Sequence, residues 1–338
     1  MTLTLAIPAH NDTGNLKRLL HRVAEIGLAD QMIVIDDGSD IPIDADELRT
    51  CVAADFDKLT LLRNEQPRGP GPARNRAILH TKTDHLLFLD ADDLPTRELP
   101  DLLSDLKGSE FDFCIFQHHD TRMEQELAWG QPHHDQAHWR AAGVDLGALS
   151  PVSSKAAAHL VQTANYPWNK IYRTEFLRAH AIGCSDILVH EDIELHWRSF
   201  LNAETILVSD RVGVIHFVTP GGDRLTNRTG PERLALFAPL ERIGEEIMAK
   251  APGIYALPFF SFVLGLFDWI AGNLAAEHHD AFSGLVRDFI MRRPLPLPLQ
   301  EQIHQTDPDR TDRVLARADL EEFRLPTGAT APPLTTAR

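Results

Sequence analysis

Short apolar runs recur through the first ninety or so residues, and each gives way to polar residues. Leu3 to Pro8 alternates and is rich in β-formers. Met32–Ile35, Leu59–Leu62 and Leu86–Leu89 are unbroken apolar runs, the pattern of strands buried on both faces. Between the first two, Leu16, Leu19, Leu20, Val23 and Ile26 fall at helical spacing. Asn11, Asp12 and Thr13 are cap candidates before them, and Gly27 stops the helix. Asp44–Ala54 and Ala73–His80 predict two more helices, the second led by the stiff loop Gly69-Pro70-Gly71-Pro72. Strands alternating with helices in this way predict a parallel, right-handed α/β sheet.

Further on, residues 97–107 read as a helix and Phe111–Gln117 as a strand, after which the pattern fades from His118 to Gly147. That section holds His118, His119, His133, His134 and His138, but their spacing fits no zinc-ligand pattern, and a polar loop near a site is expected. Pro167–Arg173 leads into a helix over Thr174–Ala181, and His190-Glu191-Asp192 opens another with Ile193, Leu195, Trp197 and Phe200. Thr205–Val208 and Val212–Val218 predict two strands, and Thr219–Gly230 is a Gly-rich, charged loop suited to cover a site. Pro231 begins a helix to about Ala249. Ile254–Leu274 is the most apolar stretch, interrupted by Pro258, Asp268 and Asn273, which predicts a buried helix pair; a surface that meets a membrane or a partner is the second reading. The expected organisation is an α/β domain over 1–230, a helical region over 231–323 and a disordered tail over 324–338.

Composition narrows the function. The chain has 338 residues, 43% of them hydrophobic, and a formal net charge of −16. That charge argues against broad binding to nucleic acid or anionic lipid, either of which needs a basic face. Cys51, Cys114 and Cys184 are odd in number and far apart, so a reducing, cytoplasmic setting is expected. The first residues lack the basic start and long apolar run of a signal peptide.

The chemistry gathers where the fourth strand ends. His85–Asp93 reads H-L-L-F-L-D-A-D-D, with Asp90, Asp92 and Asp93 at the strand's carboxyl end. The second strand likewise ends in Asp36-Asp37-Gly38-Ser39. In open α/β sheets ligands bind just outside the carboxyl ends of the strands. Carboxylates crowded there repel one another, and a divalent cation carrying a bound phosphate would relieve them. By themselves these acids also suit a turn and a helix cap. Glu191 and Asp192 likewise suit either the first turn of a helix, where the dipole favours acids, or a general base at a pocket edge.

Taken in order, the segments Ile7-Pro8-Ala9-His10-Asn11, Asp36-Asp37-Gly38-Ser39, Gly71-Pro72-Ala73-Arg74-Asn75, Asp90-Ala91-Asp92-Asp93, Trp168–Arg173 and His190-Glu191-Asp192 resemble the family 2 glycosyltransferases, over about residues 1–230. The resemblance implies a GT-A fold: a Rossmann-like, mostly parallel sheet flanked by helices, here with a helical C-terminal region. It implies a nucleotide-sugar donor, expected to be UDP-linked, an Mn²⁺ or Mg²⁺ ion, and inversion at the anomeric carbon. The implied acceptor is a hydroxyl of a carbohydrate or lipid-linked molecule, in cell-surface polysaccharide or glycoconjugate synthesis. Asp192 matches the catalytic base. Pro8 and Asn11 would lie beside the nucleotide, and Asp36 and Asp37 at the nucleobase and ribose. Arg74 and Asn75 would hold the uridine-like end or its phosphates, and Lys170 and Arg224 the diphosphate. Asp90 and Asp92 would contact ribose and metal, with His216 a further metal contact. The C-terminal helices are expected to serve the acceptor, a second copy of the chain, or peripheral contact with the inner face of a membrane.

Two other classes compete. A nucleotidyltransferase making the nucleotide sugar would carry a Gly-rich, basic loop right after strand one, where this chain reads Pro8-Ala9-His10-Asn11-Asp12. A non-catalytic binding module of the same fold would have no need of the full set of acids.

Overall fold

The computed structural model describes residues 1–52, 57–144, 149–218, 225–292 and 297–320. The tail expected over 324–338 lies outside them. Two compact units are present, residues 1–227 and 228–338.

The first unit begins with β1 (Leu3–Ala9), α1 (Thr13–Ile26), β2 (Gln31–Asp36), α2 (Ala45–Val52), β3 (Leu59–Arg63), α3 (Pro70–His80) and β4 (His85–Phe88). It continues with β5 (Leu94–Pro95), α4 (Glu98–Asp105), β6 (Phe113–Asp120), α5 (His133–Ala142), β7 (Ser150–Pro151) and α6 (Ser154–Leu160). β8 (Lys170–Arg173), α7 (Thr174–Ala179), α8 (Asp192–Asn202) and β9 (Ile206–His216) complete it. These strands form one sheet in the order β3-β2-β1-β4-β8-β6-β9-β5, with β7 on β9. The β3-β2-β1-β4 half is parallel, as the alternating pattern predicts. β8 then inserts antiparallel between β4 and β6, and β9 runs parallel to β6.

Local sequence explains these elements. α1 buries Leu16, Leu19, Leu20 and Val23, and Gly27 ends it at φ 61°, a left-handed conformation that glycine adopts without strain. Leu5, Ile7, Val34, Leu87 and Leu89 meet that helix face in the core. α3 starts three residues earlier than expected, because Pro70 and Pro72 in its first turn have preset φ and no amide to leave unbonded.

Three expectations are corrected. The two strands over 205–218 are one, Ile206–His216: pairing with β6 shifts register twice, between Phe116 and His118, and carries the strand past the polar residues Ser209–Arg211. The polar loop from His118 is not one at its start, because β6 runs on to Asp120 with His118, His119 and Asp120 fully buried. In the second unit the expected helix pair is a single 22-residue helix, α10 (Pro252–Asn273), preceded by α9 (Phe237–Lys250) and followed by α11 (His279–Met291), α12 (Leu297–Thr306) and α13 (Pro308–Arg317). α10 continues through Pro258, which lies inside it, and Asp268 is neutralised by Arg313 and Arg317, each at 2.7 Å. α10 is long and apolar enough to cross a membrane by length and composition alone, yet Phe259, Val263, Phe267 and Ile270 are buried, with Phe267 packed against Phe237, Phe282 and Phe289.

Candidate active site

The rim of the sheet at the carboxyl ends of β1, β2 and β4 collects the acids. Asp36, the last residue of β2, is fully buried and accepts the amides of Ser39 (2.9 Å) and Ile43 (3.2 Å) and the guanidinium of Arg63. Burial alone would raise its pKa, but these donors outweigh burial and hold it below the usual carboxylate range. Asp37 accepts Asn64 Nδ2 (2.7 Å) and the amides of Arg68 (3.0 Å) and Gly69 (2.7 Å), so it clamps the loop that leads into α3. Gly38, at φ 67°, allows that closeness: a Cβ there would stand 2.5 Å from the nitrogen of Pro67. The β1 tip is tied to the same turn. His10 Nδ1 lies 2.8 Å from the Asp37 carbonyl, and the Asn11 amide donates to Ser39 Oγ at 2.9 Å. Asn11 is itself left-handed at φ 51°, and Pro8 is half-buried beside Ile35.

The β4 tip is organised by Arg74. This guanidinium, only 4% exposed, donates to Asp90 Oδ1 at 2.6 Å and to Glu191 Oε1 at 2.8 Å. Burial works against its charge, but the two carboxylates prevail and drive its pKa well above normal. Asp90 is more open, with a side chain 29% exposed. Asp93, wholly buried, faces His216, whose Nδ1 lies 3.0 Å from both carboxylate oxygens, and also accepts the amide of Phe217. Burial pushes the Asp93 carboxyl up to about 6; His216 opposes the rise, and Asp90 and Asp92 add to it. These four groups therefore share one neighbourhood.

Across the rim, Asp192 opens α8, directly after the Glu191 that Arg74 holds. It is half-buried, and its pKa is pushed up to about 8, first by burial and then by Glu191; Arg74 and Lys170 oppose the shift. A carboxyl group poised near neutrality at a helix head is suited to accept a proton.

Not every expected residue reaches the rim. Asn75 was expected at the nucleotide, but its amide is used at both ends by Cys184, donating to the carbonyl at 2.7 Å and accepting the amide at 2.8 Å. Lys170 was expected at the diphosphate; it is fully buried, with Nζ on the Tyr166 carbonyl (2.8 Å) and Asn169 Oδ1 (2.6 Å). Burial lowers its pKa to about 7. Arg74 is buried and its two terminal nitrogens are taken by Asp90 and Glu191. Arg224 lies outside the described residues. The trio Asp90, Asp92 and His216 does not stand as a preassembled ligand cage; His216 is held through Nδ1 by Asp93, which sets the orientation of the ring. Among the described residues no three His, Cys, Asp or Glu side chains stand as a ready metal cage, and this includes the His118–His138 section. The second oxygen of Asp90 makes no hydrogen bond within the described residues, and Asp92 is two positions on. Such a donor set fits a hard divalent ion that takes one or two carboxylates from the protein and completes its shell with phosphate and water. Asp93 and Glu191 were the residues that sequence alone underrated. Asp93 was visible in the run of acids, whereas the partners of both, His216 and Arg74, are more than a hundred residues away along the chain.

A half-parallel sheet with acids at successive strand tips, faced by an acid at a helix head, is the GT-A arrangement of sugar-transferring enzymes. The model of glycosyl transferase family 2 matches residues 4–175, half of the chain, and the chain belongs to that family. The pre-mycofactocin glycosyltransferase of Mycobacterium tuberculosis, matched in two strains, is 34% identical over 95 residues, which is 28% of this chain and 18% of that protein. The match thus spans less than a fifth of the curated relative's length. Among solved structures, S. aureus TarS 1–349 in complex with UDP-GlcNAc superposes with a TM-score of 0.72 at 19% identity, covering 95% of this chain and 91% of that one. A mannosyltransferase of Pyrobaculum calidifontis, in complex with GDP-Man and Mn²⁺, gives 0.51 at 13% identity, covering 95% and 84%. At these identities both likenesses establish the fold alone.

Proposed function

We propose that the protein transfers a sugar from a nucleoside-diphosphate sugar, UDP-linked, to a hydroxyl of a carbohydrate or lipid-linked acceptor, with inversion, and that Asp192 is the general base. The observation that carries this reading is the placement of Asp192: recessed at the head of α8, poised at about 8, and joined through Glu191 and Arg74 to the acid tip of β4. TarS binding UDP-GlcNAc supports a uridine donor for the same fold. Pro8 and Asn11 border the nucleotide, while Asp36 and Asp37 hold the β2 turn and the 66–69 loop in the shape that receives it.

Asp90 and Asp92 would hold a divalent cation, which would supply positive charge to offset the negative charge that builds on the leaving diphosphate. Asp192 takes the acceptor's hydroxyl proton as that oxygen attacks C1 from the face opposite the diphosphate. One displacement with one base inverts the anomeric carbon. Acceptors of the kind found in cell-surface glycans fit this chemistry, and a cytoplasmic enzyme acting beside a membrane fits the supply of such acceptors.

Calorimetry with UDP-GlcNAc, UDP-glucose and GDP-mannose, each with and without Mn²⁺, tests the reading. Binding of at least one uridine donor that strengthens with Mn²⁺, together with slow release of UDP from it, is the expected result. Preference for the guanosine donor would overturn the base assignment, and no binding of any donor would overturn the reading as a whole.

A further inference from the structure

We infer that Arg74 is a positioning residue that couples the donor side of the site to the acceptor side. It touches neither the nucleotide nor the acceptor; it holds Asp90 and the Asp192 loop in one fixed relation. This rests on the reading of Asp90 as a donor contact and of Asp192 as the base.

The geometry is that of a two-armed bracket. The guanidinium carries its donors in a rigid planar fork, and its two terminal nitrogens reach two different carboxylates, Asp90 at 2.6 Å and Glu191 at 2.8 Å. Because Oδ1 of Asp90 is committed to Arg74, its other oxygen is fixed as the one turned toward the donor. On the second arm, Glu191 immediately precedes Asp192, and its carbonyl accepts the amide of Ser185 at 2.8 Å. The loop just before it is strained: His190 is held at φ 68°, a left-handed conformation unfavourable for a residue with a β-carbon. Gly71, one turn before Arg74 on α3, lets this loop press onto the helix, since a Cβ there would stand 2.5 Å from the Ser185 carbonyl oxygen and 2.9 Å from Glu191 Cγ. A strained loop persists only where its surroundings over-determine it, and here the Arg74–Glu191 pair and the Gly71 contact do so. Arg74 itself depends on both arms. It is buried, its Nε has no hydrogen-bond partner among the described residues, and losing either carboxylate would leave buried charge poorly compensated. Asp90 and the base loop are therefore linked through one side chain.

Two measurements test this. The first needs no substrate: amide hydrogen exchange on the unliganded protein, comparing wild type with Asp90→Ala, Glu191→Gln and Arg74→Met. Asp90→Ala, which leaves Arg74 no acceptor on that arm, is expected to speed exchange across residues 183–193 about tenfold while leaving β1–β3 unchanged. Unchanged exchange over 183–193 in a folded Asp90→Ala protein would overturn the coupling. Glu191→Gln retains an acceptor for Arg74 and keeps the test open if Arg74→Met fails to fold; it is expected to give a smaller change over the same segment. The second measurement is a double-mutant cycle on UDP release from UDP-GlcNAc in Mn²⁺. Arg74→Met is expected to lower kcat about a hundredfold in the wild-type background and less than threefold in Asp192→Asn, because it acts through Asp192. Equal losses in both backgrounds would make Arg74 a general structural residue and overturn the inference. If wild type neither binds nor turns over a nucleotide sugar, the proposed function fails, and the exchange result still decides the coupling.

Discussion

His216 Nδ1 lies 3.0 Å from both carboxylate oxygens of Asp93, so the end of β9 is fastened to the acid-tipped turn after β4 across 123 positions of sequence. The ring also stacks on Trp168 at 5.0 Å, which leaves it little freedom to turn. With Asp93 ionised, the imidazole N–H donates to it and the orientation of the ring is set. Asp93→Asn would break this without changing shape. We expect it to weaken Mn²⁺-dependent UDP binding about tenfold, read by calorimetry with and without the ion, while leaving metal-free binding within about twofold. The magnitude is the usual cost, about 10- to 100-fold, of losing a carboxylate that orients a metal-ligating histidine, the role that the family resemblance implies for His216.

Removing the base should separate chemistry from binding. Asp192→Asn keeps the size and much of the hydrogen bonding of the side chain but cannot take a proton at neutral pH. We expect turnover to fall about 10²- to 10⁴-fold, with UDP affinity changed less than about twofold. Wild-type turnover in the folded variant would exclude Asp192 as the base.

The raised pKa of Asp192 sets the pH dependence. The free enzyme must hold this group ionised to act, so kcat/KM should rise about tenfold per pH unit below about 8 and level off above it. A rate profile flat between pH 6 and 9, measured with saturating Mn²⁺ kept constant, would contradict the assignment.

The same shift has a stability consequence of defined sign. The folded carboxyl titrates near 8 and the unfolded one near its ordinary value of about 4, so between these the folded state binds more protons. Stability contributed by this group is therefore greatest at low pH and declines as pH rises from about 4 to about 8. Asp192→Asn removes that decline. The Tm advantage of the variant over wild type should thus grow across this range, as thermal unfolding at pH 5 and pH 8 would read. An advantage that shrinks with pH would contradict it.

Gly71 should tolerate no side chain. Gly71→Ala would drive a methyl against a backbone oxygen at 2.5 Å, an overpacking whose cost is about 1–3 kcal/mol in denaturant unfolding. Because the displaced backbone belongs to the loop that presents Asp192, turnover should fall further than donor affinity does. Gly14, with nothing within 4 Å of an added Cβ, is the control, and Gly14→Ala should leave both unchanged.

Sequence by itself determined the parallel half of the sheet. Unbroken apolar runs at 32–35 and 86–89 can be satisfied only by burial on both faces, and the helical periodicity of 16–26 supplies one of the covers. It also determined that acids stand at strand tips, because strand ends and charge are local facts. What only the tertiary structure decided is which of those acids are open and which are committed. Asp36 and Asp37 look alike in sequence to Asp90 and Asp92, yet the first pair is consumed by the amides and side chains of the 39–43 turn and the 63–69 segment. Lys170 was expected at the diphosphate and is fully buried, because β8 inserts antiparallel into the sheet centre, a pairing across long sequence separation that periodicity does not encode. The fusion of 206–216 into one strand rests on register shifts with β6, and the role of Arg74 rests on a partner 117 positions away. Local pattern fixes how a segment folds. The ionisation and reach of a side chain depend on neighbours brought in from elsewhere in the chain, and those are settled when the sheet closes.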